Sequence, residues 1–209
     1  MLIGIDEDTK KGYSLSDLSS LYDVKPQNIH FISQPDFHLD MALRPIGYPY
    51  ILVNDDSLAL KNAKDDKLLQ LEIKTRHDEF KEKTKIDPKK FVSPNEVCKE
   101  LRKIGFVPIK IAGAYSSGIN YMNAIVNKHS DGTITYITNS AKGSGYDYLD
   151  EVFERELRAK VPNIRNVYFI SGNKDPESIY ASPIIEHLHR LSGGLHCMTL
   201  EEPDFERWA

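Results

Sequence analysis

Two short stretches far apart in the chain contain the residue types needed for nucleophilic chemistry. His38 and Asp40 supply a base and a carboxylate, and Cys197 supplies a thiol. Alternate side chains of an extended segment share a face, so His38 and Asp40 are predicted to point the same way. The pair Gly193-Gly194 permits a sharp turn that presents Cys197 at the mouth of a strand. A thiolate needs a nearby proton acceptor or positive charge, so these residues together favour thiol catalysis.

Each of these signals also has a structural explanation when taken alone. A single His-x-Asp pair is commonly a hydrogen-bonded surface pair, and a lone cysteine is commonly a small core residue. Cys98 fits the second description, because it lies beside Val97 and Leu101 in a predicted helix and is expected to be buried. His196 neighbours Cys197 but faces the opposite side of a strand, which favours a structural role.

Length and composition set the broad class of the protein. The chain has 209 residues, 40% of them hydrophobic, which predicts one globular domain over residues 1–209. The net charge of -4 and the scattered Lys and Arg residues argue against a nucleic-acid partner. No apolar run reaches membrane-spanning length and residues 1–8 do not resemble a signal peptide, so a cytoplasmic protein with no membrane partner is expected. The two cysteines, Cys98 and Cys197, suit a reducing compartment.

The first half of the chain predicts a hairpin followed by helices. Strands at 38–43 and 48–53, joined across a turn with Pro and Gly, would carry the His-x-Asp pair. A charged helical excursion is predicted at about 55–105, and its charges over 55–90 are interpreted as a solvated face. Within it, Ser93-Pro94-Asn95-Glu96 predicts a capped helix start.

The second half predicts the same order of elements. The predicted elements are a strand at 107–111, a hairpin at 119–127 and 133–138, a helix at 148–160, a strand at 167–170, a helix from Ser182, and a strand after Gly194. The order hairpin, helix, strand therefore occurs twice, which predicts structural repetition.

Four segments in this order resemble the C-terminal half of the guanidine-modifying, or pentein, superfamily of deiminases and amidinotransferases. They are His38-Leu39-Asp40, the strand ending at Ile51-Leu52-Val53-Asn54, the stretch 120–127, and Gly193-Gly194-Leu195-His196-Cys197. The resemblance implies an α/β propeller of repeated strand-strand-helix-strand modules around a central axis. About five modules are usual in that superfamily, and about three are expected here, so the propeller is expected to be incomplete.

The same resemblance implies a role for each residue. Cys197 as thiolate would attack the carbon of a guanidinium group, Asp40 would bind its nitrogens, and His38 would protonate the departing nitrogen and then activate water. The expected activity is hydrolysis of a guanidino substrate, a small guanidino compound or a peptidyl arginine, through a covalent amidino-thioether. No metal or other cofactor is implied. An amidinotransferase and a non-catalytic binding or interaction module are the alternatives.

Further guanidinium-binding carboxylates in that superfamily come from modules that precede the His-x-Asp hairpin, and only 37 residues precede His38. The chain could be a fragment of a longer protein, a second chain could supply the missing modules, or the pocket could be rebuilt in a compact form. Asp36, Asp131 and Asp147 are other candidates for this role, and no spacing selects among them. A cysteine protease is disfavoured because its cysteine usually begins a helix, and a zinc site is disfavoured because His187 and His189 diverge around a predicted helix.

Overall fold

The computed structural model describes residues 1–5, 14–36, 38–84, 91–116 and 118–170. Its strands are β1 (Leu2–Ile5), β2 (His30–Ser33), β3 (Leu43–Pro45), β4 (Tyr50–Asn54), β5 (Val107–Ile111), β6 (Ile125–Lys128), β7 (Ile134–Asn139) and β8 (Ile164–Ile170). Its α-helices are α1 (Leu15–Tyr22), α2 (Leu39–Ala42), α3 (Asp56–Asn62), α4 (Lys67–Thr84), α5 (Pro94–Lys103) and α6 (Tyr148–Lys160). The fold is mixed α/β.

Two stretches of the chain share one topology. In the first unit, residues 43–111, β3 pairs antiparallel with β4, and β4 pairs parallel with β5 after a crossover through α3, α4 and α5. In the second unit, residues 125–170, β6 pairs antiparallel with β7, and β7 pairs parallel with β8 after a crossover through α6. The predicted repetition of hairpin, helix and strand is confirmed. A third sheet consists of β1 and β2, which pair in parallel around α1.

The sheet of the first unit has apolar side chains on both faces. Ile51 and Val53 of β4 pack with Val97 and Leu101 of α5, whereas Leu52 joins the larger core on the opposite face. This division follows from the alternation of side chains along a strand. The larger core extends into the second unit, where its members include Tyr136 of β7 and Phe153 and Leu157 of α6. The two units therefore share one interior.

Local sequence signals predicted the start of α5 and both limits of α6 correctly. Ser93 accepts a hydrogen bond from the Glu96 backbone and the Glu96 carboxylate accepts one from the Ser93 backbone, so the predicted capping box of α5 is confirmed. Ser14 caps α1 in the same way through the backbone of Asp17, 3.1 Å from its hydroxyl. The limits of α6 coincide with the predicted helix. Cys98 is 2% exposed, as expected for a core residue.

Two predicted strands are too long. The strand predicted at 38–43 begins only at Leu43, because residues 39–42 form the short helix α2. The strand predicted at 119–127 begins only at Ile125. In the preceding residues, the Asn120 carboxamide oxygen accepts hydrogen bonds from the backbone N–H groups of Met122 and Asn123, which folds the chain into a compact loop. We refer to residues 120–123 as the Asn loop.

The helical excursion is less solvated than its charges indicate. Leu69 and Ile73 of α4 are buried, and so is Arg76, whose charge was interpreted as part of a solvated face. That interpretation was wrong for Arg76. Its guanidinium contacts two aspartates, and such pairing allows an arginine to be buried.

Candidate functional site

The predicted base and carboxylate lie at the start of α2. His38 is the N-cap of this helix, with extended backbone dihedrals, and its side chain is exposed. Asp40 lies in the first turn and is half-buried. The strand prediction was therefore wrong here, and with it the argument that His38 and Asp40 share a face because alternate residues of a strand do. The structure instead places both residues on one turn that leads into β3.

The Asn loop holds this turn in place. The Asn123 carboxamide donates a hydrogen bond to the Asp40 carboxylate, with 2.8 Å between Nδ2 and Oδ2. The Asn120 carboxamide donates to the backbone oxygen of Met41 at 2.9 Å. Asn120 and Asn123 are both buried. Two consecutive residues of α2 are thus fixed by side chains about eighty positions later in the chain.

The second unit in turn holds the Asn loop. The hydroxyls of Tyr136 and Thr138, both in β7, donate to the backbone oxygen of Tyr121 at 2.8 and 2.9 Å. Asn139 donates to the backbone oxygen of Asn120 at 2.8 Å. Burial raises the pKa of Tyr136 well above its usual value, so its hydroxyl remains a donor at neutral pH. Rigid strand residues therefore support the contact to Asp40.

A buried cation follows the turn. Arg44 in β3 lies four residues after Asp40, and its Nε donates to the backbone oxygen of Met122 at 3.0 Å. Its Nη2 is buried and has no hydrogen-bond partner within the part of the chain that the structure describes. Arg44 therefore adds a third contact between the segment that carries Asp40 and the Asn loop.

Asp36, Asp131 and Asp147, the other candidates for a guanidinium-binding carboxylate, have different surroundings. Asp36 is buried, and its Oδ2 lies 3.1 Å from Nη2 of Arg76, so its carboxylate already faces a guanidinium of the same chain. Asp131 is exposed in the turn between β6 and β7, where it accepts hydrogen bonds from the backbone and hydroxyl of Thr133. Asp147 precedes α6 and accepts from the backbone of Gly143 at 2.8 Å. Asp131 and Asp147 thus have local roles, in the β6–β7 turn and in the loop before α6.

The thiol half of the predicted site lies outside the described residues, and so do Gly193, Gly194, His196, His187 and His189. The placement of Cys197 relative to His38 therefore stays a prediction. The described cysteine, Cys98, is a poor nucleophile, because burial raises the pKa of its thiol.

Sequence reasoning did not identify Asn123 or Arg76 as parts of the site. Asn123 belongs to a stretch that was interpreted as a strand, and Arg76 to a stretch interpreted as a solvated face. The only local signal for Asn123 was the paired asparagines in Asn120-Tyr121-Met122-Asn123, since asparagine favours loops over strands. No sequence spacing connects Arg76 with Asp36.

The described residues show neither a metal-binding cluster nor a membrane-spanning helix. Those residues contain no group of three or more His, Cys, Asp or Glu side chains placed to hold a metal ion. None of the helices formed by those residues combines the length and the apolar character needed to cross a membrane.

Comparison with known proteins gave structural matches only. No protein-family model matches the chain, and no curated protein does. Among solved structures, C. jejuni agmatine deiminase is similar, with a TM-score of 0.47 and 15% identity. A cysteine-to-serine variant of C. jejuni agmatine deiminase with substrate bound is also similar, with a TM-score of 0.47 and 14% identity. Each match covers 94% of this chain and 50% of the other, so this chain spans about half the length of those proteins.

Proposed function

We propose that this protein hydrolyses a guanidino compound, releasing ammonia, with Cys197 as nucleophile, His38 as acid and base, and Asp40 as the guanidinium-binding carboxylate. The observation that carries the proposal is the arrangement of α2: an exposed imidazole begins the turn, and two residues later a carboxylate is fixed by a buried carboxamide. The motif Gly193-Gly194-Leu195-His196-Cys197 adds the thiol that this pair would serve.

Asp40 suits the binding of a guanidinium group. A carboxylate offers two oxygens and about four lone-pair sites, so it can accept from Asn123 and from a ligand together. The Asn123 contact fixes the rotation of the carboxylate. Charge-assisted hydrogen bonds between a carboxylate and a guanidinium are short and directional, and they would hold the guanidinium carbon in one position for attack.

The reaction would proceed in two stages. The Cys197 thiolate forms a C–S bond to the guanidinium carbon, which becomes tetrahedral, and one nitrogen takes a proton from the His38 imidazolium and leaves as ammonia. The neutral imidazole then removes a proton from water, and the resulting hydroxide adds to the amidino carbon. Collapse of this second tetrahedral species breaks the C–S bond and restores the thiolate, and the hydroxyl proton passes to bulk water, which leaves a neutral ureido product.

We further propose that the two repeated units are modules of a pentein-type α/β propeller within a domain covering residues 1–209. Their identical strand pairing supports this. In such an arrangement the remaining guanidinium ligands would come from modules other than these two, and a second chain is one source of them. The substrate class, a small guanidino compound or a peptidyl arginine, depends on those ligands.

The experiment compares two alkylating probes of similar size. The full chain is treated with chloroacetamidine, which is cationic and shaped like guanidinium, or with neutral chloroacetamide, and the labelled cysteine is identified by peptide mass mapping. We expect Cys197 to react preferentially with the cationic probe. In Asp40→Asn the preference should fall by about tenfold or more, because one charge-assisted contact contributes about 1.5–3 kcal/mol. Asp131→Asn removes a surface carboxylate and should leave the preference unchanged.

Cys98 provides an internal reference, because its buried thiol should react slowly with both probes. If Cys197 shows no preference for the cationic probe, the catalytic proposal is wrong for this chain, and a non-catalytic module becomes the better explanation. If the preference is present, release of ammonia from agmatine, arginine and an arginine peptide identifies the substrate class. Formation of a new guanidino product only when a primary amine is added would indicate an amidinotransferase.

A further inference from the structure

A buried ion pair lies directly before the turn that carries His38. Arg76 of α4 and Asp36 are 2% and 1% exposed, and Nη2 of Arg76 lies 3.1 Å from Oδ2 of Asp36. The same Nη2 lies 3.1 Å from Oδ1 of Asp56. One guanidinium therefore bridges two carboxylates from different segments. Loss of either partner in a buried pair leaves the other charge uncompensated.

Asp56 connects this pair to the sheet of the first unit. The Asn54 carboxamide donates to Oδ1 of Asp56 at 2.7 Å. Its oxygen accepts from the backbone N–H groups of Gly113 and Ala114, both at 2.9 Å. Asn54 ends β4, and Gly113 and Ala114 follow β5, so the network begins at the ends of two paired strands. Arg76 extends this fixed network to Asp36.

A cavity of about 290 Å³ lies beside the pair, and its lining includes Asp36, Ala42 and Arg76. Asp36 precedes His38 by two residues, and Ala42 ends α2. The cavity therefore adjoins both the C-terminal end of α2 and the carboxylate of Asp36. A void provides no packing contacts to hold the chain that borders it. The ion pair is thus a defined attachment for the chain at Asp36, two residues before His38.

We propose that Arg76 is a positioning residue: by binding Asp36 it fixes the chain two residues before His38 and thereby the placement of the His38 imidazole. Arginine is suited to this role because its planar fork can bind two carboxylates at once, whereas lysine offers a single ammonium. The assignment also means that Asp36 serves an internal guanidinium and not a substrate. A role of Arg76 in catalysis rests on the proposed function, whereas its effect on the position of His38 does not.

The test is an NMR measurement of His38 in Arg76→Ala. The Cε1–Hε1 signal of His38, assigned with His38→Gln, is compared with that of the unchanged protein, and circular dichroism checks the fold. We expect the signal to shift and broaden in Arg76→Ala. Millimolar guanidinium, which can occupy the vacated space between the two carboxylates, should return it toward its position in the unchanged protein measured in the same guanidinium, because guanidinium bound at Asp40 affects both proteins alike; urea at the same concentration should not. Arg158→Ala, which removes a surface arginine paired with Glu154, should leave it unchanged.

If Arg76→Ala does not fold, the His38 signal is measured in Arg76→Lys instead. It retains a positive charge but not the fork, so a displaced His38 signal is again expected. In both variants the labelling of Cys197 by chloroacetamidine should fall by about tenfold, as for the loss of one charge-assisted contact. An unchanged His38 signal in a folded Arg76 variant would overturn the inference. If Cys197 of the unchanged protein shows no preference for chloroacetamidine, the proposed function is contradicted. The role of Arg76 is then judged by the His38 signal alone.

Discussion

The first and second units have the same strand pairing but differently composed interiors. The first unit buries the charged side chains Arg44, Asp55 and Arg76, and three described helices lie between β4 and β5. The buried polar side chains of the second unit, which include Thr138 and Asn139, are uncharged, and its Phe153 stacks on Tyr121 of the Asn loop at 4.5 Å between ring centroids. Aromatic packing is thus characteristic of the second unit, which also supports the Asn loop through β7, and buried ion pairing is characteristic of the first.

The difference bears on how closely each kind of interior fixes the orientation of its side chains. Buried aromatic rings stabilise a fold through area and contact, with little demand on exact direction beyond ring geometry. Buried polar groups stabilise it only when each is matched by a partner, so they fix orientation closely. A site that must hold a carboxylate and an imidazole in defined positions gains more from the second kind of interior.

The largest effect should come from the aromatic centre. Phe153→Ala removes a fully buried ring that contacts Tyr121, Tyr136 and Phe169, and should lower the free energy of unfolding by about 3–5 kcal/mol. Urea denaturation followed by circular dichroism measures this. Phe153→Leu keeps most of the apolar volume, so its free energy of unfolding should fall by clearly less.

A loss below about 1 kcal/mol in Phe153→Ala would contradict the assignment of packing to the second unit, given the usual cost of deleting a core aromatic. The comparison would also fail if Phe153→Leu reduced the probe preference of Cys197 as strongly as Asp40→Asn does. In that case the aromatic centre and the site could not be treated as separate.

An intermediate effect is expected where the two units meet. Asn123→Ala removes the hydrogen bond to Asp40 and should lower the preference of Cys197 for chloroacetamidine by about tenfold, since hydrogen bonds to charged groups contribute about 1.5–3 kcal/mol. Asn163→Ala is the matched control, because the Asn163 carboxamide donates to the backbone oxygen of Gly132 at the far turn of the second unit. Equal preferences in the two variants would show that the carboxylate needs no support from the Asn loop.

The smallest effect concerns Asp55, a buried carboxylate of the first unit that is paired with Lys110. Burial opposes ionisation of Asp55, but the Lys110 ammonium at 2.6 Å and the hydrogen bonds from Ser57 outweigh it and lower the pKa of Asp55. A lowered pKa in the folded state stabilises the fold above the unfolded-state value, and this contribution is lost as the pH falls through the folded-state value. The free energy of unfolding should therefore decrease below about pH 4.

Urea denaturation between neutral and acidic pH tests this contribution. Asp55→Asn should show a shallower decrease at low pH than the unchanged protein, and Asp65→Asn, at an exposed position, should follow the unchanged protein. Parallel curves for Asp55→Asn and the unchanged protein would contradict the role of the Lys110 contact.

Local patterns in the sequence predicted most of the fold. The start of α5 at Ser93 follows from capping interactions within three residues, and both limits of α6 match the predicted helix. The strand predicted at residue 38 failed for the opposite reason. The sequence 38–42 has the alternation of a strand, but its backbone is fixed by Asn120 and Asn123, which are far away in the chain.

The candidate site shows the same division between local and distant information. His38 and Asp40 were identified because they are close in sequence, and their residue types suggest chemistry. Asn123 and Arg76 were not identified, because asparagine and arginine side chains are common on protein surfaces and their types alone do not indicate a site. Only the fold brings Arg76 to Asp36, forty residues earlier, or Asn123 to Asp40. The position of Cys197 stays a prediction.

The contacts between α2 and the Asn loop have a consequence for the order of folding. The partners are 79 and 83 residues apart, so the entropy of closing a long loop is lost before either bond forms. Helix α2, four residues long, is too short to persist in water by itself. During synthesis the segment with His38 leaves the ribosome well before the asparagines that shape it. The turn is therefore among the last parts of the molecule to acquire its final conformation.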